Sequence, residues 1–225
     1  MQKAIQAALG AFLSSFTQTS GIDTTGILSE LSSAFKSNQD FMAKVAAVDK
    51  VIDAHPKLEE LREYIIDLLF IHFFTDDVKK LEEDYLDSPE WEAIEEETLD
   101  RGTELLNVLL YLKECHDEDI EPELSDFLKE FLLVDEDEFQ DEHEIYREVI
   151  LLRNQIDSAF PPMMEVLMKK KDESPLGSMF IPLFVLFYYP EELEFASAQL
   201  AKYADSLEEE QAVFAMIRGF VEGLK

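Results

Sequence analysis

Apolar residues recur at helical spacing along almost the whole chain, and no stretch alternates apolar and polar long enough to make a sheet strand. Ile5, Leu9, Phe12, Leu13 and Phe16 share one face of a first helix. Ile27, Leu28, Leu31, Ala34 and Phe35 define a second, and Phe41, Val45, Val48 and Ile52 a third. A fourth follows from Leu58, Leu61, Ile65, Leu68, Leu69 and His72, and a short fifth from Val78, Leu81, Tyr85 and Leu86. Trp91 to Leu112 reads as one long helix or a broken pair, with Gly102 as the weak point. Leu124 to Phe131 and Phe139 to Phe160 continue the pattern. Leu193, Leu200 and Tyr203, and then Val213, Met216, Ile217, Phe220 and Leu224, complete it. The expected fold is all-α, with about nine to ten helices, as a compact bundle or a short solenoid-like array of helical hairpins.

Punctuation agrees with this reading. Ser88-Pro89-Glu90 combines an N-cap, a first-turn proline and a first-turn acid. Pro56, Pro122 and Pro190 each precede acidic, apolar-periodic stretches. Thr17 to Gly26 and Lys171 to Ser178 read as loops. Pro56, Pro89 and Pro122 are spaced by 33 residues, close to the period of tetratricopeptide-type hairpins, although prolines start helices in any helical protein. The chain is expected to be one helical domain over 1–225. Its natural subdivision would be N-terminal helices at 1–55 and a hairpin region at 56–225.

The net charge of −31 on 225 residues opposes direct binding of nucleic acid and of anionic membrane surfaces, because phosphate would be repelled. It permits a basic protein partner. With 47% hydrophobic residues, including seventeen Phe, the chain can still bury a sizeable core. One cysteine, Cys115, rules out an internal disulfide framework and fits a reducing, cytoplasmic setting. The longest apolar run, Met179 to Tyr189, contains Pro182 and is too short to span a membrane.

Catalytic patterns are missing from the places where acids and histidines suggest them. From Asp135, a calcium loop would need glycine at its sixth position, where Gln140 stands. His143-Glu144 lacks the second zinc-ligating histidine, since that position is Arg147. None of His55, His72, His116 or His143 has a glutamate three residues before it, as helical di-iron sites require. Cys115 and His116 are helix neighbours that do not face each other, and the acids around them disfavour a thiolate. Seven glycines form no phosphate-cradling loop. No catalytic, cofactor-binding or metal-ligating residue is assigned, and no cofactor is expected; the competing class is a helical enzyme whose site is scattered along the sequence. Phe180, Phe184, Phe187 and Tyr188, from the apolar run, are the candidate partner-binding residues, against the ordinary alternative of a central buried helix.

Arg101-Gly102-Thr103-Glu104-Leu105-Leu106, followed by Glu123-Leu124-Ser125-Asp126-Phe127-Leu128, resembles a segment of the helical chaperones that mature molybdenum oxidoreductases, the nitrate-reductase-assembly type. Those chaperones are also acidic, all-α and of this length. Ser125 stands where that family carries proline, and a tyrosine–proline pair occurs only late, at Tyr189-Pro190. The resemblance implies a maturation chaperone. The residues by themselves imply a non-enzymatic adaptor or chaperone-like binder of a basic protein.

Crowded carboxylates repel one another more in a compact chain than in an extended one. Moderate salt at pH 7 is therefore expected to raise the melting temperature, as is mild acid, which removes part of the charge. Thermal melts across a salt series check this, and a fall in melting temperature on adding salt would contradict it.

Overall fold

In the computed structural model, described over residues 1–77, 88–98, 101–131, 139–156 and 159–225, the protein is 81% helical. Within those residues the side chains of 76, 77, 90, 130, 131, 139–144, 204 and 205 lie outside the description. The described residues form twelve α-helices and no strand, slightly more helices than the periodicity implies. They are α1 (Lys3–Ser20), α2 (Thr25–Phe35), α3 (Phe41–Asp53), α4 (Arg62–His72), α5 (Pro89–Thr98) and α6 (Glu104–Asp117). Then follow α7 (Leu124–Phe131), α8 (Phe139–Leu152), α9 (Phe160–Lys170), α10 (Phe180–Tyr188), α11 (Leu193–Leu200) and α12 (Glu208–Leu224). No helix of the described residues is long and apolar enough to cross a membrane. The expected fifth helix at 78–86 and the acidic run at 135–138 lie outside the described residues.

Several boundaries follow from identifiable side chains. Asp40 accepts from the Ala43 amide at 2.8 Å, and Ser88 from the Trp91 amide at 3.1 Å, each satisfying a donor left over at a helix start. Pro161, Pro162 and Pro182 all fall in first turns, where no helical hydrogen bond is lost. The loop expected from Thr17 shrinks to residues 21–24. Thr17, Thr19 and Ser20 turn their hydroxyls back onto carbonyls of the preceding turn, so α1 continues through them. The Trp91–Leu112 stretch is a broken pair, parted at Gly102, whose φ of +95° suits glycine. Within Lys171 to Ser178, expected as a loop, short 3-10 turns at Lys171–Glu173 and Gly177–Met179 lead from α9 to α10.

The interior is aromatic, with Phe12, Phe35, Phe127, Phe180, Phe184, Phe214 and Phe220 wholly buried. From Tyr64 to His72 every residue of α4 is buried. Its neighbours are α1, α3 and α6. The imidazole of His72 stacks on Phe35 and bonds the Phe35 carbonyl at 2.8 Å, as a core histidine. The longest contact joins the two ends of the chain, where α1 runs against α12. A Cβ on Gly219 would lie 2.7 Å from the Ala7 carbonyl oxygen and 2.9 Å from the Ala11 Cβ; one on Gly223 would lie 2.4 Å from the Ala4 Cα. The small residues that allow close helix approach are thus at the chain ends and not between the prolines. Pairing of first and last helix crosses the expected subdivision at residue 55, and an open array, whose repeats touch only their neighbours, does not make such a contact.

Gly219→Ala must displace backbone and an alanine methyl, which offer little give. The overpacking cost of about 1–3 kcal/mol is expected to exceed the helix-propensity gain of about 1 kcal/mol, giving a net loss. Gly10→Ala in α1, whose Cβ would meet nothing within 4 Å, is expected to stabilise by about 0.5–1 kcal/mol. Urea denaturation of the two variants checks the pair, and a Gly219→Ala protein as stable as Gly10→Ala would contradict the close approach.

Candidate functional site

Two features stand out above the core packing: a polar joint at the start of α6 and a cleft of mixed apolar and acidic lining at its end. At the joint, Arg62 bonds Asp49 at 2.6 Å, Asp53 at 2.6 Å and Glu59 at 2.7 Å. Arg101 forks onto both oxygens of Asp49 at 2.9 Å and reaches Glu63 at 3.3 Å. A planar guanidinium matches a carboxylate in this way, and lysine cannot. The Arg101 guanidinium, and then Arg62, hold the Asp49 carboxyl below the usual range despite partial burial. Thr103 caps α6 by accepting from the Leu105 amide at 3.1 Å, and Glu104 accepts from Asn107 and from the Tyr146 hydroxyl.

Asp67, wholly buried in α4, accepts the Thr103 amide at 2.9 and 3.1 Å and the Thr103 hydroxyl at 2.6 Å. Its carboxyl is pushed up to about 7, first by loss of water and further by the neighbouring Glu63 and Glu104; the Thr103 hydrogen bonds offset part of that. A Cβ on Gly102 would lie 2.8 Å from Asp67 Oδ1 and would have to displace that carboxylate, on a backbone whose φ of +95° already favours glycine. Arg101-Gly102-Thr103-Glu104, singled out in the sequence, is thus a joint between helices. Its chemistry is structural, since the two arginines and the threonine already engage the carboxylates.

The cleft lies where the last turns of α6, α10 and α12 meet. It encloses about 540 Å³. Leu112, Cys115, Leu186, Val221 and Leu224 give it apolar walls, with His116 and Lys225 beside them. Asp119, Glu121 and Glu191 supply acids, and Ile120, Pro122 and Pro190 complete the lining. A shallower recess of about 420 Å³ shares Glu121, Pro122 and Pro190 with it and continues past Leu124, Arg153, Phe187 and Tyr188. The recess adjoins the cleft along those three residues, and the pair is called the groove.

The end of α6 creates this shape. Asp119 adopts the left-handed conformation at φ +57°; its amide donates to the His116 carbonyl at 3.3 Å and the Ile120 amide to the Cys115 carbonyl at 2.8 Å. That paired pattern ends a helix and turns the chain sharply. The residue after the turn usually packs back on the helix, but Ile120 stays 52% exposed beside the cleft. Glu123 is then fixed by the Tyr111 hydroxyl, which accepts from its amide at 3.1 Å and donates to its carbonyl at 3.2 Å. Periodicity could not have found Ile120, because its importance lies in the left-handed turn at Asp119 that follows the end of α6.

Of the four candidate partner-binding residues, Phe180 and Phe184 are wholly buried, edge to face with each other, and line neither part of the groove. Phe187 and Tyr188 are half-buried and line the recess. Phe187 rests on Tyr111 and Phe127, and the Tyr188 hydroxyl donates to the Arg153 carbonyl at 2.6 Å. The apolar run therefore divides: its first two turns are core and its last residues reach the surface. Cys115 is buried in the cleft floor. Among the described residues no three His, Cys, Asp or Glu side chains are grouped to hold a metal ion. Searches against protein-family models, curated proteins and solved structures each find no significant match.

The floor and the lip of the cleft should respond differently to substitution. Leu112→Ala removes a buried side chain and is expected to cost about 2–5 kcal/mol. Ile120→Ser alters an exposed one and is expected to stay within about 0.5 kcal/mol of the parent. Denaturant midpoints check both, and a strongly destabilised Ile120→Ser would show that Ile120 belongs to the core.

Proposed function

We propose that this protein is a non-enzymatic interaction module, adaptor or chaperone-like, that receives an apolar segment of a basic partner protein in the groove at the ends of α6, α10 and α12. The observation that carries this reading is a groove that sets aliphatic and aromatic side chains among acids, with a large aliphatic side chain, Ile120, held out beside it. Apolar area supplies affinity, since each buried aliphatic side chain contributes roughly 1.5–3 kcal/mol. The acids supply attraction and faster encounter. Asp119, Glu121, Glu123 and Glu191 outweigh Lys225 and Arg153 along the groove, and the chain as a whole adds its net charge of −31. Phe187 and Tyr188 serve as aromatic contacts in the recess, while Phe180 and Phe184 hold α10 in place beneath them. Such a protein would act in the cytoplasm, on neither nucleic acid nor membrane.

A more specific form of this reading is a maturation chaperone like the nitrate-reductase-assembly type. One observation favours it: of the two segments that carry that resemblance, Glu123, Leu124 and Ser125 line the recess. The cargo would then be an apolar, basic segment of an enzyme before assembly.

The test uses labelled synthetic peptides in fluorescence anisotropy. A peptide of leucines and phenylalanines interspersed with arginines is expected to bind, and to bind less tightly as salt rises. Its counterpart with glutamates in place of arginines is expected not to bind. Ile120→Ser and the double variant Glu121→Lys with Glu191→Lys should each weaken binding about tenfold or more, a loss of about 1.4 kcal/mol. Equal binding of both peptides, or unchanged binding by the folded variants, would overturn the reading.

A further inference from the structure

The polar joint at the start of α6 contains a buried titratable group that the proposed binding does not use. The linker Arg101–Thr103 is non-helical, and every side-chain hydrogen bond it makes with α3 and α4 ends on a carboxylate. Arg101 takes Asp49 and Glu63, the Gly102 amide takes Glu63 at 3.2 Å, and Thr103 takes Asp67. Two of these three acids have the Arg101 cation as a partner. Among the described residues Asp67 has none: its donors are the neutral amide and hydroxyl of Thr103. Among the described residues the charged groups around it are Glu63 on its own helix, Arg101 on the linker, engaged with Asp49 of α3, and Glu104 on α6. Tyr64 lies on the same helix, and Tyr146 of α8 is turned to Glu104. An unhydrated carboxylate between two other acids, without a cation of its own, is costly when ionised.

We infer that Asp67 and Thr103 form a proton-operated latch, which keeps the Arg101–Thr103 linker closed on α4 in mild acid and releases it as the solution becomes neutral. The geometry provides for both protonation states. The ionised carboxylate accepts three hydrogen bonds from Thr103. The proton taken up from water can sit on Oδ2, 2.6 Å from the Thr103 hydroxyl oxygen. That oxygen then accepts from Asp67 with one lone pair while the other continues to accept the Leu105 amide, so the α6 cap survives; its own hydrogen turns off the carboxyl toward water, which the half-buried Thr103 can reach. Opening the linker hydrates Asp67 and returns it to the ordinary carboxylate range.

The sign follows from these two states. The closed form has the higher proton affinity, with Asp67 titrating near 7, so acid favours closing. Between the ordinary carboxylate range and that value, the opening equilibrium should rise about tenfold per pH unit, and it should level off above it. Arg101 stays paired with Asp49 throughout this range and acts as the fixed pin of the linker.

The experiment uses the full chain with ¹³C-labelled aspartate side chains. Carboxyl resonances are followed from pH 4 to 8.5 by NMR, together with amide hydrogen exchange at Gly102 and Thr103 corrected for the intrinsic pH dependence. One aspartate is expected to titrate between pH 6 and 8 and to be missing in Asp67→Asn. Thr103 protection is expected to fall with rising pH in the parent and to be flat in Asp67→Asn. Glu104→Gln, which keeps Asp67 but removes a neighbouring acid, should move the midpoint to lower pH and decides the matter if Asp67→Asn fails to fold. The latch is overturned if no aspartate titrates above pH 6, if Thr103 protection has the same pH dependence in Asp67→Asn, or if Glu104→Gln leaves the midpoint unmoved.

Discussion

The close approach of α1 to α12 is the constraint on which the rest of the fold depends. Interiors pack at nearly crystalline density, so a few tenths of an ångström between two helix axes are transmitted to everything packed on them. Gly219 and Gly223 let the last helix settle against the backbone of Ala4 and Ala7. With its small face used in this way, α12 turns its large residues, among them Phe214, Met216, Ile217 and Phe220, into the shared core. It also packs on α6, α10 and α11. The cleft takes one wall from the last turns of α12; were α12 held farther from α1, Val221 and Leu224 would not line it with Leu112.

A chain with 50 acids and 19 basic residues must also place its few cations well. Exposed pairs such as Lys169–Glu165 contribute little, because water and salt screen them. The two arginines of the polar joint do more, since both are largely shielded and both use Asp49. They tie α3, α4 and the start of α6 together where three helices would otherwise bring only acids. Asp67 is the acid left over. Its burial is tolerated because one threonine satisfies it while capping the next helix.

The same electrostatic surplus gives the groove its character. Its lining mixes aliphatic side chains with acids, so a partner with apolar side chains and positive charge would gain twice over. Ile120 connects this chemistry to local structure. A left-handed aspartate, a conformation that Asp tolerates better than most residues, ends α6 and leaves the isoleucine exposed. Asp67 at one end of α6 and Asp119 at the other thus set where that helix begins and what its end displays.

Much of the secondary structure was legible in the sequence because helical spacing, capping residues and first-turn prolines are local signals. The N-cap at Ser88, the break at Gly102 and the core place of His72 could all be read from a few neighbouring residues. Acidic character needed only a count of charges. Which helices meet was not legible, because α1 and α12 are separated by almost the whole chain and four small residues resemble any others until they face each other. The division of the apolar run into buried Phe180 and Phe184 and half-exposed Phe187 and Tyr188 was hidden for the same reason: a helix that is apolar all round carries no mark of where its cover ends. Spacing and composition alone suffice to make this protein helical, acidic and aromatic inside. The place of the groove, and the pairing of Asp67 with a threonine while its neighbours take arginines, come from packing, since both depend on contacts between residues far apart in the chain.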